Sequence, residues 1–193
     1  GTWNGTALVQ AGNTLTNAGT MSGLITNAGA LTSTGTLGGG LTNNAGGVAN
    51  VSGTLNGAVS NTGAFTVTGA LSSNNQFTNN AAGRTTVNAG ADWTGVTDFN
   101  NNSTQVDGLL VNGALTVSNF FVNGAGANLR IGAPGTLNVL YFTSGGAITN
   151  QGVVNSGLTN SGAVTNEAGA TWNGALSQAT GSAVNDGTWD GYV

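Results

Sequence analysis

The sequence predicts an all-β fold: a single-stranded parallel β-helix, or β-solenoid, with three short strands in each turn. The first observation is a composition poor in helix formers, with 35 glycines among 193 residues. The second is a repeat of about 16–18 residues, in which Gly19–Thr34 matches Gly53–Thr68 position by position. The third is the alternation of apolar and polar residues around three apolar centres in each repeat, a pattern typical of half-buried strands.

Each apolar centre predicts one strand of the turn. A strand this short cannot bury its apolar face alone, so successive units must stack about 4.8 Å apart along an axis and line up their centres inside the solenoid. The first predicted column consists of Trp3, Met21, Leu37, Leu55, Leu71, Val154 and Trp189. The second consists of Leu8, Ile25, Leu41, Val59, Phe77, Val96, Leu158 and Leu176, and the third includes Leu15, Leu31, Phe65, Val164 and Val184.

A side-chain amide or acid follows two residues after the second apolar centre. Stacked amides can hydrogen-bond to one another, so this column predicts a structural ladder along the solenoid. The hydroxyl residues between the two columns face the other way, because successive strand residues point to opposite faces. The predicted ladder comprises Gln10, Asn27, Asn43, Asn61, Asn79, Asp98, Asn160 and Gln178, and the hydroxyl column comprises Thr26, Thr42, Ser60, Thr78, Thr97, Thr159 and Ser177.

The repeat loses its register between residues 100 and 151. We interpret this segment as irregular or loop-bearing turns within one β-helical domain over residues 1–193, because about 50 residues are too few for an independent core. The repeat is in phase at both ends, so we expect a fragment of a longer solenoid. Candidate ligand contacts in the irregular segment are Phe120, Phe121, Arg130, Tyr141 and Phe142. The alternatives are that the aromatic residues fill a wider turn and that Arg130 pairs with an acid.

Charge excludes several classes of partner. The chain has two basic and six acidic residues and a net charge of −4, whereas a nucleic-acid-binding protein needs a basic surface. An anionic membrane surface is excluded for the same reason, and no apolar run is long enough for membrane insertion. The sequence has no Cys, so a thiolate metal site is impossible, and it has no match to the calcium-binding nonapeptide GGxGxD, so we expect no metal and no cofactor.

The segments GTLNGAVSNTGAFTVTGAL and GVVNSGLTNSGAVTNEAGATWNGAL resemble passenger domains of type V secreted proteins of Gram-negative bacteria. Autotransporters are the first choice, and exoproteins of the filamentous-haemagglutinin type are the second. The resemblance implies a right-handed β-helix that is secreted to the cell surface through an outer-membrane translocator barrel in the full-length protein. It also implies adhesion, biofilm formation or autoaggregation, with a host-surface glycan or protein, or a copy on another cell, as partner. The serine-protease motif GxSxG of some passengers is missing, so the resemblance assigns no catalytic residues.

The predicted function is therefore a structural stalk and adhesion module without catalysis. One alternative is a polysaccharide-degrading β-helix enzyme, which needs clustered carboxylates such as Asp92, Asp98 and Asp107. Another is an ice-binding solenoid, which needs parallel threonine ranks. Pairs such as Thr66 and Thr68 are not followed by the same pair in neighbouring repeats.

Overall fold

The computed structural model describes residues 1–191 and consists of one 27-stranded sheet that coils into a solenoid. Every strand pairs in parallel with the equivalent strand of a neighbouring turn, and strands inside the stack do so on both sides. Leu41, for example, is in register with Ile25 below it and with Val59 above it. The predicted parallel β-solenoid is confirmed.

The strands form three columns around the axis. The first column contains β1 (Thr2–Trp3), β4 (Thr20–Met21), β7 (Thr36–Leu37), β14 (Asp92–Val96), β21 (Val153–Asn155), β24 (Thr171–Asn173) and β27 (Thr188–Asp190). The second contains β2 (Ala7–Val9), β5 (Ile25–Asn27), β8 (Leu41–Asn43), β10 (Val59–Asn61), β12 (Phe77–Asn79), β15 (Phe99–Asn101), β22 (Leu158–Asn160) and β25 (Leu176–Gln178). The third contains β3 (Thr14–Asn17), β6 (Ala30–Ser33), β13 (Arg84–Val87), β16 (Leu109–Val111), β18 (Asn128–Ile131), β20 (Ala147–Asn150), β23 (Ala163–Asn166) and β26 (Ser182–Asn185).

Four longer strands run from one column into the next. Strands β9 (Val48–Leu55) and β11 (Ala64–Ser73) join the third column to the first, whereas β17 (Ala114–Asn123) and β19 (Thr136–Ser144) join the first column to the second. With these strands included, the second column has ten members, one for each turn.

The turns have two sizes. Register partners in the second column are 16 or 18 residues apart up to Phe77 and again beyond Phe142. Between these residues the steps are 22, 22 and 21, through Phe99 and Phe121. These wide turns stay in the same stack, and they begin before residue 100.

An extra inward residue contributes part of the greater width. In most narrow turns the first and second core positions are four residues apart, as with Leu37 and Leu41. In the wide turns they are five or six apart; between Leu115 and Phe121 the distance is six, and Val117 adds a buried side chain between them. The equivalent residues of the neighbouring wide turns are Val96 and Val139.

Aromatic side chains fill the wider interior. The rings of Phe77 and Phe99 stack with centroids 4.9 Å apart, and those of Phe99 and Phe121 stack at 5.1 Å with an interplanar angle of 7°. Phe121 then meets Phe142 edge to face. Large buried rings contribute both area and specific contacts, so they replace the leucine and valine of the narrow turns.

The structure contradicts the assignment of three residues to the predicted apolar columns. Leu8 is 65% exposed, because its neighbour Ala7 holds the inward position in register with Ile25. Val184 is exposed for the same reason, since Ala183 pairs with Val164. Val96 is buried, but it is the extra residue of a wide turn and Phe99 takes its predicted place in the second column.

Candidate ligand-contact surface

A ladder of buried asparagines runs along the end of the second strand column. Each amide Nδ2 donates to the Oδ1 one turn further on, at distances of 2.8 to 3.0 Å. We call this ladder the buried amide column; its members are Asn27, Asn43, Asn61, Asn79, Asn101 and Asn123. Ser144 accepts the last of these bonds at 3.2 Å, and further along the same strand column Asn160 donates to Gln178 at 3.1 Å.

The second N–H of each amide is also used. Asn43 donates to the backbone oxygen of Ala64 at 2.9 Å, and Asn61 donates to that of Arg84 at 3.1 Å. These oxygens belong to the third strand column of the following turn. The column therefore ties two sides of the solenoid together and leaves neither N–H unpaired, as burial requires.

Two residues predicted for this ladder lie outside it. Val9, not Gln10, is in register with Asn27, and Gln10 is exposed one residue further along. Asp98 was predicted from a step of about one narrow turn, but the wide turn moves the position to Asn101. The same shift puts Asn100 in the outward position predicted for Thr97, in register with Thr78.

Further amide ladders were missed at the sequence level. At the end of the third strand column, Asn150 donates to Asn166 and Asn166 to Asn185, both at 2.8 Å. A ladder on the outside of the first column, which we call the exposed amide column, consists of Asn138, Asn155 and Asn173. Its two bonds measure 2.7 and 2.8 Å. Its spacings of 17 and 18 residues are the signal that could have revealed it.

Two of the predicted aromatic contacts are core residues. Phe121 is fully buried and Phe142 is nearly so, which makes their assignment as ligand contacts wrong. Both occupy the inward position of the second strand column, next to Phe99 and Leu158 respectively. Period-two alternation sends one member of each adjacent pair inward, and the wide-turn register selects these two.

The other two aromatic residues face outward. Phe120 is 50% exposed and Tyr141 is 53% exposed, and their rings stack with centroids 5.1 Å apart. Leu140, also exposed, lies beside them at the corner between the first and second strand columns. We call these three residues the aromatic corner. Exposed apolar groups that adjoin one another are typical of interaction sites.

Asp98 positions this corner from the turn below. Its Oδ1 accepts hydrogen bonds from Nδ2 of Asn119 at 2.8 Å and from the backbone N–H of Phe120 at 3.3 Å. Asp98 lies one residue before Phe99, as Phe120 lies before Phe121. The carboxylate predicted to be a rung of the ladder thus fixes the backbone that presents Phe120.

Arg130 is engaged by an acid, as the sequence allowed. Its Nε lies 2.8 Å from Oδ1 of Asp107, and its Nη2 donates to Oδ2 at 3.0 Å. Asp107 has a φ of 52°, in the left-handed region, within the loop over residues 103–108. Arg84 binds the same loop from the preceding turn, through Nη1 to the backbone oxygen of Val106 at 2.8 Å. Both basic residues of the chain therefore anchor one loop.

The carboxylates of the chain are dispersed. Asp98 and Asp107 are held as described, and Glu167 accepts a bond from Nε2 of Gln151 at 3.0 Å. Over residues 1–191, no three acidic, His or Cys side chains come together in a way that could hold a metal ion.

Residues 1–191 contain no helix that could span a membrane. On the third column, Asn50 lies between Thr32 of the turn before it and Thr66 of the turn after it, so these threonines are not in adjacent turns.

A comparison with protein-family models found no match, and a comparison with curated proteins found none either.

Proposed function

We propose that the protein is a surface-exposed β-helical segment of a bacterial adhesin, which acts as a structural stalk and as an adhesion or autoaggregation module. The observation that carries this proposal is the unbroken stacking of ten turns around one core. Ten turns at about 4.8 Å each give a rod about 48 Å long, in which every rung is bonded to the next. Such a rod holds surface groups at a distance from its point of attachment.

The aromatic corner supplies a contact region on this rod. Phe120 and Tyr141 are half-exposed large rings on a surface composed mostly of threonine, asparagine and small residues. A host-surface glycan, a host protein or a copy of the chain on another cell is the partner that we propose. Export through an outer-membrane translocator barrel to the cell surface is part of the same proposal and rests on the resemblance to type V passengers.

Display on a non-adherent Gram-negative strain tests the proposal. Residues 1–193 would be fused to an unrelated translocator barrel, and exposure would be checked by surface labelling. Displaying cells should settle faster, or attach better to epithelial cells, than cells that carry the barrel alone. The double variant Phe120→Ser/Tyr141→Ser should reduce the effect. Confirmed display with neither settling nor attachment above the barrel control would overturn the proposal.

A further inference from the structure

A shallow shelf lies next to the aromatic corner on the C-terminal side. Tyr141 immediately precedes Phe142, and the residues that precede its register partners Leu158 and Leu176 are Gly157 and Ala175. The backbone N–H of Leu158 donates to Ala175 at 2.8 Å, so the two small residues form a continuous exposed floor. We call this floor, together with the Tyr141 ring that rises at its end, the shelf.

The Tyr141 ring stands at the end of this floor, because Phe142, the residue after Tyr141, is in register with Leu158. Phe120 stacks against the ring from the turn below, 5.1 Å away between centroids. In the turn above, the residue at the equivalent corner is Gly157, which has no side chain to cover the ring. Tyr141 keeps 53% of its surface exposed. The ring thus offers a flat apolar face above a floor of small residues.

Hydrogen-bonding groups flank the floor on both sides. Asn155 precedes Gly157 by two residues and Thr159 follows it by two, and both are exposed. At strand spacing, each is about 7 Å from the floor residue along the chain. The next turn repeats the arrangement with Asn173 and Ser177.

The amides on this side keep hydrogen-bonding capacity. Nδ2 of Asn155 donates one bond, to Asn138, although an amide nitrogen carries two N–H groups. Nδ2 of Asn173 likewise donates one bond, to Asn155. In the buried amide column, by contrast, both N–H groups of each asparagine from Asn27 to Asn123 are taken. The exposed amides can therefore donate to a ligand without breaking the ladder.

The shelf is also uncharged. Arg84 and Arg130, the two basic residues, anchor the loop over residues 103–108, and the chain carries a net charge of −4. An anionic ligand would meet repulsion and no cationic partner there. A flat ring face with amides and hydroxyls on either side fits a ligand that has apolar C–H faces and many neutral hydroxyls.

We propose that the shelf binds a neutral carbohydrate chain, with one pyranose ring stacked on Tyr141 and its hydroxyls bonded to Asn155, Thr159 and their equivalents in the next turn. This inference rests on the proposed adhesive function and assigns its ligand class. The carbohydrate chain runs along the solenoid axis, over Gly157 and Ala175. Successive sugar rings meet the same pair of flanking groups in successive turns.

The floor offers a way to block the site without disturbing the fold. A Cβ added to Gly157 would lie 3.5 Å from the nearest atom, the oxygen of Ala175, an ordinary contact. The neighbouring Gly174 differs, because its φ is 149° and a Cβ there would clash with backbone of the turn below. Gly157→Leu therefore fills the shelf, whereas Ala58→Leu adds the same side chain at the equivalent corner of a narrow turn.

Titration of the purified protein with cellohexaose, mannohexaose and chitohexaose, followed by ligand-observed NMR, tests the inference. We expect at least one hexasaccharide to bind with a Kd on the order of 1 mM. Tyr141→Ala and Gly157→Leu should each weaken this binding at least about tenfold, a loss of about 1.4 kcal/mol. Leu24→Ala, which removes an exposed apolar side chain at the same corner of a narrow turn, and Ala58→Leu should leave it within about twofold.

The inference would be overturned by no binding of any of the three hexasaccharides, or by binding that survives both Tyr141→Ala and Gly157→Leu. Tighter binding of an anionic probe, hexagalacturonate, would also contradict it. Circular dichroism of each variant checks that the solenoid persists. Because the assay uses purified protein, displayed cells that adhere while the hexasaccharides fail would refute the ligand class and leave the adhesive function standing. Hexasaccharide binding without cell adhesion would refute the adhesive function instead.

Discussion

Two amide columns run along this solenoid with similar hydrogen-bond lengths and opposite exposure. Asn61 donates to Asn79 at 2.9 Å in the interior, and Asn173 donates to Asn155 at 2.8 Å on the surface. In the interior no water can replace a lost partner, whereas on the surface water can. Desolvation, and not the bond itself, therefore determines how much an amide rung contributes to stability.

A charge placed in the buried amide column should cause the largest loss of stability. In Asn61→Asp, burial and the facing Oδ1 of Asn79 would raise the pKa of the new carboxyl above its value in the unfolded chain. The folded state then holds its proton to higher pH than the unfolded state does. Stability should therefore fall as pH rises above about 4, and the variant should lose about 4 kcal/mol at pH 7.

The matched surface substitution is Asn155→Asp, which places the same charge in the exposed amide column. Its denaturant midpoint should change little between pH 4 and pH 7, because water solvates the carboxylate in both states. A similar pH dependence in both variants would mean that Asn61 is not desolvated in solution.

Removal of the amide without a charge should have a smaller effect. Asn61→Leu leaves the Oδ1 of Asn79 and the backbone oxygen of Arg84 without their donor, and it deprives Nδ2 of Asn43 of an acceptor. We expect a loss of about 2 kcal/mol, read from urea midpoints. The control is Asn74→Leu, since Asn74 is exposed and belongs to neither column; it should shift stability by less than about 0.5 kcal/mol. Equal losses would show that the register of the ladder is wrong.

The narrow turns could be predicted from the sequence because their period is nearly constant. Asn27, Asn43, Asn61 and Asn79 all occupy the predicted rungs, since steps of 16 to 18 residues carry the pattern from one to the next. The same reasoning failed at Asp98, where the step is 22. The added residues of a wide turn look like ordinary alternating positions in sequence, and only the strand register shows that the turn has widened.

The sequence predicts that the aromatic pairs lie on strands, but not which residue of each pair faces outward. Alternation requires one of Phe120 and Phe121 to face outward, but it does not say which. The choice depends on register with Phe99, and that register runs through a wide turn. The shelf could not be foreseen, because Tyr141 and Gly157 are 16 residues apart and become neighbours only through stacking.

A pair of double-mutant cycles tests most directly the claim that burial makes the amide rungs stabilising. One cycle combines Asn61→Ala with Asn79→Ala, and the other combines Asn155→Ala with Asn173→Ala; stabilities come from urea denaturation. We predict a coupling energy of about 1 to 2 kcal/mol for the buried pair and less than about 0.5 kcal/mol for the exposed pair. Equal coupling energies in the two cycles would contradict the account, since the two bonds have similar lengths and the two pairs differ in exposure.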